Sequence, residues 1–139
     1  MTKPADKQVR LEWQGTGLEF RGEGKGRAPI SVDSDNTRAP GPMELLLIAL
    51  AGCTASDIVP VLEKKRLKVD RLAIDVTGQR REEHPQRYVA IQLRYTVVAP
   101  GATEAAVRQA IDLSLQKYCS VTHSLNPDIP ISYELALQA

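Results

Sequence analysis

The stretch Pro42-Met-Glu-Leu-Leu-Leu-Ile-Ala-Leu-Ala-Gly-Cys53 constrains this chain more than any other, because as a helix it would be apolar on every side. A helix without a polar face must be surrounded by protein, so the rest of the chain has to build walls around it. Pro42 suits the first helical position, where its missing N–H costs nothing. The helical pattern continues to Arg66, with Pro60 expected to kink or break it and Lys64-Lys65-Arg66 complementing the negative C-terminal end. The apolar run itself, residues 45–55, is about half of what a bilayer crossing needs and is closed by Ser56 and Asp57. A buried central helix is expected, and no membrane span.

The walls are legible on both sides of it. Val9-Arg-Leu-Glu-Trp13 and Leu18-Glu-Phe20 alternate apolar and polar residues about Gly15-Thr-Gly17, which reads as a hairpin, and Ile30-Ser-Val32 adds a third strand before a turn-rich connector. Leu72-Ala-Ile-Asp-Val76 and Val89-Ala-Ile-Gln-Leu-Arg-Tyr-Thr-Val97 form a second hairpin through Glu82-Glu-His-Pro85. Thr103 can cap a helix whose buried face is Val107, Ala110, Ile111, Ser114 and Tyr118, ending near Cys119. A short helical segment from Ser120 and a closing strand from Ile131 give the order βββαββααβ. Strands that run as hairpins and do not interleave with helices favour an α+β fold, with antiparallel sheets packed on helices. At 139 residues, one domain over 1–139 is the default, small enough to benefit from oligomerisation.

A formal net charge of +1 and 4% aromatic residues leave neither a basic footprint nor a stacking surface, which argues against nucleic acid as a partner. The polar start Met1-Thr-Lys-Pro-Ala-Asp-Lys7 lacks the apolar core of a secretion signal, so a cytoplasmic location is expected. Two cysteines are too few for a disulfide framework. Each reads either as a small buried hydrophobe or as a reactive thiol, and reactivity requires a nearby helix N-terminus, cation or metal. Cys119 lies at a helix-to-helix joint where Ser120 can cap, so a thiol of lowered pKa is expected there. Cys53 lies inside the apolar helix with Asp57 one turn on, so burial and charge both oppose its ionisation and it needs an outside cation.

Pro42-Met-Glu-Leu leading to Cys53-Thr, followed after the next long helix by Tyr118-Cys-Ser-Val-Thr-His-Ser-Leu125, resembles the OsmC/Ohr family of osmotically inducible and organic hydroperoxide resistance proteins, in its OsmC-like branch. The resemblance extends along nearly the whole chain. It implies an intertwined homodimer whose central helices are clasped by sheets from both subunits. It also implies a peroxidatic Cys53 that attacks an organic hydroperoxide and becomes a sulfenic acid. Cys119 would resolve it as a disulfide, to be reduced by a dithiol such as a lipoyl group. No cofactor is implied.

Two departures stand out. Better-known members carry a glutamate ten residues before the first cysteine, paired with an arginine; here that place is Met43 and the acid is Glu44. A shift of one residue turns it by about 100°, and on a straight helix Glu44 lies about 13 Å from Cys53 along the axis on the opposite face. Glu44 therefore organises an arginine or a dimer contact, or is a favourable charge in the first turn. Ser120 replaces the proline that many relatives have, and still caps. Arg38 and Arg21 are the candidate activating cations, each weighed against being a solvated surface charge. His123 shares a helix face with Cys119, and a Cys53, Cys119 and His123 set would be thiolate-rich enough for zinc, yet no second close-spaced ligand pair supports a metal site. His84 reads as solvated, and Trp13 and Tyr95 as core. The leading functional expectation is a thiol peroxidase with an apolar pocket drawn from Leu46, Leu50 and the partner subunit; the rival is a non-catalytic module that binds a small apolar ligand.

Overall fold

The computed structural model describes residues 6–139. They fall into two compact units divided between Leu46 and Leu47. In the first, β1 (Val9–Trp13), β2 (Glu19–Gly24) and β3 (Ile30–Asp33) form an antiparallel sheet in that order. Alternation along β1 puts Val9, Leu11 and Trp13 on one face, where they are 78%, 59% and 57% exposed. Trp13 is thus not a core residue of its own chain; its indole N–H donates to the Gly17 carbonyl.

Helix α1 (Pro42–Lys64) starts as the sequence suggests, with Pro42 in its first turn. The Glu44 carboxylate accepts the Gly41 N–H at 3.2 Å, half of a capping box. Pro60 does not end the helix. It ends at Lys64 because Arg66 turns left-handed (φ 61°), and the N–H groups of Arg66 and Leu67 bond back to Glu63 and Leu62, a Schellman closure. At 23 residues α1 has the length and composition of a membrane span, longer than its apolar run suggested. Only Leu50, Thr54, Ile58 and Leu62 are buried, one stripe at four-residue spacing, while Ile48 is 55% exposed.

In the second unit, β4 (Arg71–Arg80) and β5 (Tyr88–Val98) are antiparallel, and β6 (Ile131–Gln138) joins the other edge of β5. The element order is the expected βββαββααβ, but β6 lies parallel to β5, where antiparallel sheets were expected. The reason is the intervening chain: α2 (Glu104–Leu113), a π turn (Ser114–Tyr118) and α3 (Ser120–Ser124) form the long crossover that parallel pairing requires. On β5, Ile91, Leu93, Tyr95 and Val97 alternate inward and are buried. Tyr88 is also buried, three residues before Ile91, because Val89 bulges where Gln79 and Arg80 face Ala90 and Tyr88. The Tyr88 ring lies over Gly78, where any Cβ would collide with it. With the α1 stripe and Val107, Ala110 and Ile111 of α2, these residues make the core, each large aliphatic contributing about 1.5–3 kcal/mol.

Candidate functional site

The second cysteine is placed by a change of helical pitch. Thr103 caps α2 as expected, its hydroxyl accepting the Ala106 N–H at 3.1 Å. Val107, Ala110, Ile111 and Ser114 then face inward. A continued α-helix would bring Tyr118 to that face next. Instead the Cys119 N–H reaches back five residues to the Ser114 carbonyl at 2.7 Å, so the turn holds one extra residue. Cys119 goes inside with no exposure, and Tyr118 is left 53% exposed, against the sequence expectation.

The turn is tied to α1. Ser114 is fully buried and its hydroxyl donates to Asp57 Oδ2 at 2.8 Å. Asp57, expected only to oppose Cys53, is therefore an anchor for the element that carries Cys119. Sequence reasoning set Ser114 on the buried face and Asp57 in the apolar helix without joining them. The available signal was that a buried hydroxyl must find an acceptor.

Cys53, half-buried on α1, is near enough to Cys119 for its side chain to act on the Cys119 thiol. Two thiols far apart in the sequence are brought together. Cys119 also accepts the Thr122 N–H at 3.4 Å, and its backbone carbonyl accepts the His123 N–H. Burial pushes the Cys119 thiol above its ordinary pKa; the Thr122 hydroxyl and N–H oppose this, and the Cys53 side chain reinforces it. The expectation of a lowered Cys119 pKa is thus corrected: desolvation outweighs the donors at the start of α3.

Beneath the pair, the Tyr95 hydroxyl donates to Thr54 Oγ1 at 3.2 Å, and Thr54 donates on to the Ala51 carbonyl. Tyr95 is core, as expected, and burial pushes its phenol up to about 12. Its ring meets Tyr133 edge-on at 5.8 Å, and the Tyr133 hydroxyl donates to Asp112. Leu50, expected to line an apolar pocket, is fully buried in the core. His123 and His84 are exposed. Among the described residues no three of His, Cys, Asp and Glu are grouped to hold a metal, so His123 does not complete a ligand set with the thiols.

The remaining candidates lie in the first unit. Arg38 is 81% exposed, with its Nε 3.5 Å from Glu19 Oε1, and Arg21 pairs with Glu23 at 3.7 Å. The Arg38 N–H, with those of Asp35 and Thr37 and the Thr37 hydroxyl, converges on the buried Asp33 carboxylate. The Arg38 N–H is the foremost cause holding that carboxyl below the usual range. Asp33, which the sequence reading left inside a connector, organises the loop into α1.

The model of the family described as "OsmC-like protein" matches residues 33–134, from this loop to the closing strand. The chain belongs to the OsmC-like family. Protein YhfA of Escherichia coli K12 is 40% identical over 131 residues, spanning 92% of this chain and 97% of its own. A hypothetical protein from Aquifex aeolicus VF5 superposes with a TM-score of 0.81 at 33% identity, covering 96% of this chain and 98% of its own. The organic hydroperoxide resistance protein OhrB of Bacillus subtilis superposes with a TM-score of 0.63 at 12% identity, over 94% of this chain and 98% of its own, a likeness of fold.

Proposed function

We propose that this OsmC-like protein is a thiol peroxidase that reduces organic hydroperoxides. The observation that carries the reading is the meeting of a half-buried Cys53 with a fully buried Cys119. Cys53 is the sulfur a substrate can reach. Its thiolate attacks the hydroperoxide, the O–O bond breaks, and the alkoxide leaves as the alcohol after taking a proton, while Cys53 becomes a sulfenic acid. Cys119 then forms the disulfide and releases water, and a dithiol, of which a lipoyl group is one, returns both thiols by exchange and leaves oxidised itself. No cofactor enters the cycle. A cation is needed to favour the Cys53 thiolate; Arg38, the candidate from the sequence, is held only by an exposed ion pair with Glu19 that costs little to open.

The exposed apolar faces of α1 and of Val9, Leu11 and Trp13 support a homodimer that covers them. Cover of this kind around Cys53 would favour apolar hydroperoxides over hydrogen peroxide. A reducing cytoplasm suits a thiol pair that must be reset.

Reduced protein mixed with cumene hydroperoxide is expected to lose both thiols far faster than a free thiol does, followed by mass spectrometry. Cys119→Ser should stop at a trappable Cys53 sulfenic acid, and Cys53→Ser should not react. Thiols that oxidise no faster than free cysteine, together with an apolar ligand retained in native mass spectra, would replace this reading with that of a non-catalytic binding module.

A further inference from the structure

Disulfide closure needs Cys119 as a thiolate, and a fully buried sulfur gives up its proton reluctantly. The groups around it sort by sign. Cys53 from α1 opposes a negative charge on Cys119, and such a charge in turn opposes ionisation of Tyr95 from β5. Asp57, also on α1, is engaged by Ser114 at the far end of the π turn. On α3, His123 is exposed and gives its backbone N–H to the Cys119 carbonyl. Thr122 remains. Its N–H reaches Cys119 Sγ at 3.4 Å, and its hydroxyl oxygen is buried with no hydrogen-bond partner. Buried hydroxyls are rarely left unpaired, and each exception asks for a reason. An ionised sulfur alongside is the acceptor this one lacks.

We propose that Thr122 is a positioning residue for the resolving thiol, its hydroxyl and N–H together receiving the Cys119 thiolate as disulfide closure begins. The inference rests on the peroxidase reading and deepens it. In this step the Cys119 sulfur pair attacks the Cys53 sulfenic sulfur and the S–S bond forms. The S–O bond breaks, and hydroxide leaves as water with the proton that Cys119 has shed. Oxidation of Cys53 to the neutral sulfenic acid removes its opposition to a charge on Cys119, and the Thr122 donors then act against burial.

Reduced protein is mixed with one equivalent of cumene hydroperoxide across a pH series. Dimedone-trapped sulfenic acid and disulfide are both followed by mass spectrometry. Thr122→Val is expected to accumulate sulfenic acid because closure slows about tenfold at neutral pH, as befits a lost hydrogen bond to a charged group. The midpoint of its closure rate against pH should rise by about one pH unit. Thr122→Ser, which keeps the donor and loses only a methyl, should restore both. Unaltered closure in the valine variant, or a serine variant as slow as valine, overturns the proposal. A second measurement is independent of peroxide chemistry: in a Cys53→Ser background, the 13Cβ chemical shift of the single remaining cysteine titrates Cys119 alone, and its midpoint must rise with valine and return with serine. If wild-type Cys53 does not oxidise, the peroxidase reading falls, and this titration still decides Thr122 by the same criterion.

Discussion

Replacing Ser114 by alanine isolates the tie that sets Cys119 in place. The backbone part of the π turn, from the Cys119 N–H to the residue 114 carbonyl, survives the change. What is lost is the 2.8 Å bond to Asp57. A hydrogen bond to a charged group contributes about 1.5–3 kcal/mol, and because Asp57 is only half-buried and water can reach it in part, the lower end of about 1.5 kcal/mol applies. In a chain of this size that lowers the melting temperature by about 5 °C. Calorimetry at matched protein concentration measures it, since an associating protein has a concentration-dependent midpoint. Asp57→Ala and the double variant complete a cycle, in which the coupling between the two sites should exceed about 0.5 kcal/mol. The Ser114→Ala protein should also close its disulfide more slowly, because the turn that aims Cys119 has lost its hold on α1. Additive single effects in the cycle, or an unchanged closure rate at reduced stability, would refute the assignment of Ser114 and Asp57 as the anchor.

Gly78→Ala should cost about 1–3 kcal/mol by overpacking. A Cβ there comes within 2.7 Å of Tyr88 Cδ1 and 3.2 Å of Leu47 Cδ2, and the Tyr88 ring is buried; urea titration gives the loss directly. Tyr95 produces an alkaline weakness. Its phenol ionises near 10 in the unfolded chain and at about 12 when folded, so its contribution is intact below pH 10 and is lost as the pH rises towards 12. Tyr95→Phe should remove that part of the pH slope. It should also lower stability at neutral pH by about 0.5–1.5 kcal/mol through the lost bond to Thr54.

Much of the architecture is local and was therefore legible. The all-round apolar character of residues 45–55 marked a helix, of which this chain buries one stripe, and period-two runs marked the strands. Thr103 and Pro42 act where their own short-range chemistry puts them. Glu44 was read as either a partner for an arginine or a first-turn charge; in the structure its carboxylate holds the Gly41 N–H.

The chain alone thus determined its α+β elements, their order, and that two thiols were the chemistry worth following. Tertiary structure decided the rest. Whether β6 pairs parallel depends on where a crossover lands, which no periodicity records. Which of Tyr118 and Cys119 turns inward hinges on one extra residue in a turn, and that turn is tied through Ser114 to Asp57, a residue distant in sequence. The ionisation of Cys119 is likewise a competition among burial, Thr122 and Cys53. Desolvation is a property of everything packed around an atom, so it cannot be read from the residues that precede and follow it.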